Sequence, residues 1–280
     1  MTATARCVLV TGASSGIGEA TALRLARSGW HVLAGVRAGT DADRLRATAG
    51  DRLEPLLIDV TDSAAIAAAA EGLGDRPLHG LVNNAGTALA LPLEFLPLDQ
   101  LRRQLEVNLV GHVAVTQALL PNLRSARGRI VNVGSIAGRS ALPFLGAYAA
   151  SKHALEAVTD ALRVELRPFG ITVTVVEPGT IATPIWRKGG EVFQQLAAQM
   201  PQELGELYGE RMEAFREAAA DAGRRAEPAD EVAIVVERAL TASRPKARYL
   251  VGRDARRRAL LERLPTRLRD RVYERVLLGG

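Results

Sequence analysis

Tyr148 and Lys152 stand four residues apart in Tyr148-Ala149-Ala150-Ser151-Lys152. On a helix that spacing stacks both side chains on one face, setting an ammonium beside a phenol. A free tyrosine titrates near ~10 and carries protons poorly at neutral pH. A cation about 4–5 Å away, at an effective dielectric of ~20, favours the phenolate by roughly 3–4 kcal/mol, or two to three pKa units. The pair could then act as acid and base near pH ~7–8. Spacing alone does not establish this, because the same two residues also suit one face of an ordinary amphipathic helix.

A second group has phosphate chemistry. Gly12, Gly16 and Gly18 lie in Thr11-Gly12-Ala13-Ser14-Ser15-Gly16-Ile17-Gly18, after an apolar run at 6–10 and before a helical pattern at 19–28. One glycine permits the turn, another lets backbone approach a pyrophosphate, and the third lets helix and strand touch. The helix start adds free N–H groups and the positive end of a dipole. Asp59, after the third apolar run, suits either an adenine amino group or a turn. At the end of the second run stand Val36 and Arg37. A carboxylate there would bind a ribose 2′-hydroxyl and repel a 2′-phosphate; Arg37 can clamp a phosphate, so NADP is expected ahead of NAD, although a solvated turn arginine fits as well.

These residues need a frame. Apolar runs at 6–10, 31–36, 54–58, 79–83, 129–133, 171–176 and 248–251 alternate with helical periodicity. Short runs separated by helices predict an α/β fold, a doubly wound parallel sheet of about seven strands, with ligands at the carboxyl ends. Asp62 or Ser63 is placed to cap an alanine-rich helix, Asp99 a long helix toward Leu120, and Pro228 the start of a helix at 229–242; Pro168 and Gly170 close the helix carrying Tyr148. The long connection before the last strand predicts an inserted helical lid, about 184–225, with patches near Glu191 and Gln202. One domain over 1–280 is expected, ending in a basic helical tail at about 253–280.

Composition removes several classes. The net charge of +5 is matched by the tail alone, where nine arginines face four acids over 253–275. With only 4 % aromatic residues, base-stacking surfaces are not expected, so no nucleic-acid partner is assigned. Cys7 is the single cysteine, and neither a signal peptide nor a spanning apolar run is evident, which together predict a cytoplasmic protein. Nothing has metal-ligand spacing.

Taken together, Thr11 to Gly18, Asp59-Val60, Asn83-Asn84-Ala85-Gly86, Val107-Asn108, Ser135, Tyr148 to Lys152, and Pro178-Gly179 with Thr183 occur in an order that resembles the short-chain dehydrogenase/reductase family over about residues 6–252. The resemblance implies an NAD(P)-dependent enzyme. Tyr148 would be proton donor and acceptor, Lys152 would hold the nicotinamide ribose and depress the phenol, Ser135 would hydrogen-bond the substrate oxygen, and Asn108 would bend its helix and anchor a relay water. Ser14, Ser15, Ile17, Arg37, Asp59, Val60, Asn84, Ala85 and Gly86 would join the glycines around the cofactor, with Asn84 structural. Pro178, Gly179 and Thr183 would line the nicotinamide pocket. A homodimer or homotetramer is implied by analogy.

Leu89, Leu91, Leu142, Phe144, Leu145, Ile185, Trp186 and Phe193 predict an apolar pocket for a lipophilic secondary alcohol or ketone, although several must simply pack the lid. His153 points about 100° from Lys152 and is expected outside the chemistry. Glu177 suits a loop hydrogen bond or a substrate contact. Leu260, Leu264, Leu268, Val272 and Val276 recur every four residues among arginines, broken by Pro265. That stripe suits packing on the chain or on a neighbour, with an anionic membrane surface as the alternative. Two other functions share parts of this pattern. A nucleotide-sugar epimerase or dehydratase is disfavoured by the Gly16-Ile17-Gly18 spacing and the chain length. A catalytically silent nucleotide-binding regulator is disfavoured by intact Ser135, Tyr148 and Lys152.

Overall fold

The computed structural model describes residues 6–197 and 199–278. Its strands are β1 (Cys7–Val10), β2 (His31–Val36), β3 (Leu53–Leu57), β4 (Gly80–Asn83), β5 (Arg129–Val133), β6 (Thr172–Pro178) and β7 (Arg248–Val251). The helices are α1 (Gly16–Arg27), α2 (Gly39–Ala49), α3 (Ser63–Leu73), α4 (Leu98–Leu105), α5 (Gly111–Ala126), α6 (Gly146–Glu165), α7 (Ile185–Ala197), α8 (Glu203–Arg224), α9 (Ala229–Thr241), α10 (Arg253–Leu261) and α11 (Thr266–Leu277). All seven strands pair in parallel in the order β3-β2-β1-β4-β5-β6-β7. This is the expected doubly wound, Rossmann-like sheet.

Strand alternation explains why the runs read as continuously apolar. Val8 and Val10 join Val32, Ala34, Val82 and Val131 in one core layer, which α1, α2 and α9 cover with Leu25, Leu45 and Val236. Cys7 and Leu9 join Leu33, Leu81 and Ile130 in the opposite layer, covered by Ile66 of α3 and Leu119 of α5. Successive side chains point to opposite faces and both faces are buried, so the runs are mostly apolar; the buried polar exceptions Asn83, Asn132, Thr174 and Glu177 lie in β4, β5 and β6.

Asp62 caps α3, its Oδ1 accepting from Ala64 N at 2.8 Å and Ala65 N at 3.2 Å. Asp99 does not cap. Pro97 occupies the position before α4, and Asp99 sits in the first turn. The expected long helix is three pieces, α4, a π turn over Glu106–Val110, and α5. Pro228 stands just before α9. The segment expected as a lid folds into α7 and α8, and α7 begins at Ile185, earlier than the patch near Glu191 suggested. Val192, Phe193, Leu196 and Leu204 seat it on Leu89, Leu91 and Leu96.

The tail's leucine stripe faces outward instead of packing on its own chain, as packing on a neighbour or on an anionic membrane surface would require. Pro265 separates α10 from α11 as anticipated. Yet Leu260 and Val276 are 63 % and 65 % exposed, with Leu264 and Leu268 also exposed, whereas Ala255 and Tyr273 are buried. The face carrying Asp254, Arg258 and Tyr273 makes polar contacts to the body, and those contacts turn the leucine stripe outward.

Candidate active site

A cavity of about 310 Å³ opens at the carboxyl ends of β1, β2, β4 and β5, where strand order reverses between β1 and β4. One wall is backbone. At Gly12, whose φ is 65°, a Cβ would lie 2.8 Å from Ala85 Cα; at Gly18 it would lie 2.1 Å from the Gly12 carbonyl oxygen. Neither site admits a side chain. Ser15 precedes α1 without making a side-chain capping bond, so Gly16 and Ile17 border the cavity with helix N–H groups that no side chain caps. A cradle this narrow, at an uncapped helix start, fits a dinucleotide pyrophosphate.

Side chains hold that cradle from behind. The Asn84 amide donates to the carbonyls of Thr11 (3.0 Å) and Gly12 (3.2 Å). Thr11 Oγ1 accepts from Asn84 N (2.9 Å) and Ala85 N (3.1 Å). Arg44 reaches from α2 to donate to the Ser14 carbonyl at 2.6 Å and to pair with Glu19. Ser14, Arg37, Asp59, Val60, Gly86 and Thr183 also border the cavity. Burial pushes the Asp59 carboxyl up, but the Thr61 N–H and hydroxyl and the charges of Arg37 and Arg103 outweigh it, leaving Asp59 below the usual carboxylate range. Its Oδ1 accepts both Thr61 bonds, so the turn role is fulfilled.

Two expected contacts lie elsewhere. Pro178 ends β6, and Gly179 donates to the Val251 carbonyl at 2.9 Å and abuts Asp254. Neither borders the cavity, because the tail, not the nucleotide side, packs against that turn. Gly18 is likewise behind the wall, at the helix–strand contact.

The facing wall carries Tyr148 and Lys152 on α6. The Tyr148 hydroxyl does not behave as spacing suggests. Burial pushes it up, opposed by the Ser135 hydroxyl and by the charge of Arg258. Lys152 points elsewhere: Nζ donates to the Val133 carbonyl at 2.9 Å and lies 6.0 Å from the Tyr148 ring centroid. Burial brings this ammonium down to about 8, partly offset by Glu156. The groups that lower the phenol are Ser135 and Arg258, against the larger effect of burial. Ser135 starts a 3₁₀ turn (Ile136–Gly138), its Oγ accepting from Ala137 N at 3.1 Å. Asn108, fully buried in the π turn, accepts from Thr87 N (2.8 Å) and donates to Thr87 O (2.9 Å) and Ser151 Oγ (3.0 Å).

Several neighbours were not singled out by sequence. His112, one turn beyond Asn108, sets Nε2 2.7 Å from the Ala85 carbonyl; burial and the Lys152 charge bring it down to about 3, so it is neutral. The i,i+4 spacing from Asn108 was the available signal. Glu156 is pushed up to about 7 by burial and by Glu177. Glu177 is wholly buried in β6, neither a loop bond nor a substrate contact, with Arg139 at 3.5 Å and Arg248 at 3.6 Å. His153 is exposed and bonded to the Ala149 carbonyl. Of the expected apolar pocket, Ile185 borders the cavity and Trp186 stacks edge-on against Tyr148 at 5.7 Å. Leu142 and Phe144 border a separate hollow of about 600 Å³ between loop, lid and tail.

Residues 6–192 match the short chain dehydrogenase family. The chain belongs to this family. It is accordingly an NAD(P)-dependent oxidoreductase acting between alcohol and carbonyl groups. The chain is 40 % identical to a 17-beta-hydroxysteroid dehydrogenase type 6 of Bos taurus, over 96 % of this chain and 87 % of the relative. It is 39 % identical to retinol dehydrogenase 16 of Mus musculus, over 94 % and 86 %. A short chain dehydrogenase from Burkholderia cenocepacia J2315, solved in complex with NADP, superposes with a TM-score of 0.74 at 28 % identity, covering 98 % of both chains. Among the described residues no acidic, histidine and cysteine cluster could hold a metal, and no helix is long and apolar enough to cross a membrane.

Proposed function

We propose that this short-chain dehydrogenase interconverts a lipophilic secondary alcohol and its ketone with NADP(H), using Tyr148 as proton donor and acceptor. The observation that carries this is the buried Tyr148 on the cavity wall opposite the glycine cradle, with the Ser135 hydroxyl acting to lower its pKa. When bound, the nicotinamide nucleotide supplies or accepts the hydride. A phenol held above its usual range keeps its proton at neutral pH and can donate it to a carbonyl oxygen. Ser135 donates a second hydrogen bond where negative charge develops on that oxygen. Lys152, anchored on Val133, orients the ribose, and Asn108 fixes the bend between α4 and α5 through Thr87 and Ser151. Gly12, Ser14, Ser15, Gly16, Ile17, Asp59, Val60, Asn84, Ala85, Gly86 and Thr183 are assigned to the nucleotide. Arg37, exposed at the end of β2 with Arg103 nearby on the cavity rim, is assigned to a 2′-phosphate and so favours NADP; the NADP complex of the Burkholderia relative supports this.

The substrate class rests on Ile185 and Trp186 beside Tyr148 and on relatives named for steroid and retinol oxidation. Tyr148→Phe is expected to lower turnover by a factor of about 10²–10⁴ while NADPH binding, followed by its fluorescence, stays measurable. A variant with nearly wild-type rate would remove Tyr148 from the chemistry.

We further assign residues 1–280 to one domain, expected to melt in a single cooperative transition. A cytoplasmic homodimer or homotetramer fits the outward stripe of Leu260, Leu264, Leu268 and Val276. Light scattering of the purified protein and cell fractionation test both; sedimentation with anionic vesicles would instead favour a membrane surface.

A further inference from the structure

The hollow of about 600 Å³ shares no lining residue with the catalytic cavity. Four segments meet there: the stretch after β4 with Leu93 and Glu94, the loop before α6, Tyr208 of α8, and one face of α11. Its size suits a small organic molecule, and nothing in the reaction proposed above uses it. The chain has five phenylalanines and four tyrosines. Phe144, Tyr208 and Tyr273 line the hollow, while Phe95 meets the Tyr208 ring edge-on at 5.9 Å and Phe215 meets Phe144 at 5.4 Å. Leu93 rests on the first turn of α6, where a Cβ on Gly146 would lie 2.8 Å from its Cδ1, yet it stays 63 % exposed.

Charge is sorted around this hollow. Four arginines and two acids lie in α11, and the acids, Asp270 and Glu274, are four apart on one helix face. Both acids border the hollow, and none of the four arginines does. Glu94 joins them from the other side, so every charged residue of the lining is a carboxylate. Glu94 Oε2 accepts from the Tyr208 hydroxyl at 2.7 Å, a bond that adds no positive charge. Arg269 divides itself between Asp270 at 3.1 Å and Glu262 at 2.8 Å. Glu94 and Glu274 form no ion pair among the described residues. Like charges four apart on a helix repel each other, and a cation set between them and Glu94 turns that repulsion into attraction.

We propose that this hollow binds an organic ammonium with an apolar body, the ammonium among Glu94, Asp270 and Glu274 and the body against Leu93 and Phe144. Aromatic side chains add to the attraction, because the face of a ring draws a cation. An anion would meet three like charges, and a neutral apolar molecule would leave the carboxylates without a partner. The carboxylates are exposed, so salt weakens the attraction. The site does not rest on the chemistry assigned to Tyr148, and either can fail without the other.

The test is calorimetric titration of the whole protein at neutral pH and low salt with 4-phenylbutylammonium, 4-phenylbutanamide and 4-phenylbutanoate. These probes share one apolar body and differ in charge. The ammonium is expected to bind about tenfold more tightly than the amide, with the carboxylate weakest. Glu94→Gln combined with Glu274→Gln should weaken the ammonium about tenfold and leave the amide within about twofold. Ala141→Trp, at an exposed position on the rim, fills the hollow and should weaken both. If the double variant does not fold, each single glutamine variant should still cost the ammonium about threefold. Equal binding of the three probes, or ammonium binding that survives both the charge and the filling variants, overturns the proposal. So does ammonium binding that falls as protein concentration rises in step with light scattering, because a second copy would then occupy the hollow.

Discussion

The two walls of the cavity are built in opposite ways. The nucleotide wall is backbone: Gly12 and Gly18 leave no room for a Cβ, and Thr11 and Asn84 spend their polar atoms holding the loop. The cradle comes from short stretches that follow β1 and β4, and Arg37, Asp59, Val60 and Thr183 join it from beyond β2, β3 and β6. The opposite wall is side chains gathered from α6 and α7, with Tyr148 edge-on to Trp186. The first wall needs absent atoms, and the second needs correctly delivered ones. A family can therefore keep one cofactor while changing substrate, since edits to the second wall leave the first untouched.

The sharpest way to break this contrast is Gly18→Ala. Its methyl would meet the Gly12 carbonyl, backbone against backbone, and should cost about 1–3 kcal/mol of stability and most NADPH affinity. Calorimetry and nucleotide titration check this; unchanged affinity would mean that the cradle tolerates side chains after all. Asp254→Ala reaches the other wall from behind, removing both bonds to Thr180 in the loop that leads to α7, for about 1–3 kcal/mol. It should raise KM for the alcohol while the Kd of NADPH stays within about twofold, and an equal loss in both would show that the walls are not separable.

Glu156→Gln sharpens the contrast through pH. In the folded chain Glu156 holds its proton to about 7, while the unfolded chain releases it near its ordinary 4.5. Between those values the native state binds more protons, so stability from this group falls as pH rises and the penalty is complete above about 7. The glutamine variant should gain about 1–2 kcal/mol relative to wild type at pH ~8 and nothing at pH ~4; parallel melting curves at both values would refute a buried carboxylate. Smallest is Arg37→Ala, expected to weaken NADPH by about tenfold and NADH by under about twofold, as competitive titration would read.

The same division governs what could be read from the chain. The seven strands, the glycine cradle and the order of Ser135, Tyr148 and Lys152 follow from local spacing and from period-two burial. What failed depends on folding at a distance. Spacing sets Lys152 beside Tyr148 but cannot reveal that Nζ turns to Val133 or that burial dominates the phenol. Pro178 and Gly179 belong to the tail's docking site, which no local pattern announces. The leucines at 260, 264 and 268 look like a buried seam, yet Asp254, Arg258 and Tyr273 decide which face turns inward. His112 was within reach through its spacing from Asn108.

Phe144 lies in the segment between Ser140 and Tyr148 with a left-handed φ of 62°, unusual for an aromatic residue. Its ring sits edge-on to Tyr208 at 6.2 Å and Phe215 at 5.4 Å on α8, and its carbonyl accepts from Leu91 N at 2.8 Å. Such a backbone costs on the order of 1–3 kcal/mol and persists only while those contacts hold it. The segment is built like a sprung latch: were the ring to lose its seat on α8, nothing would hold the main chain in that conformation. Admitting a bulkier guest and loosening the proton donor would then be a single event.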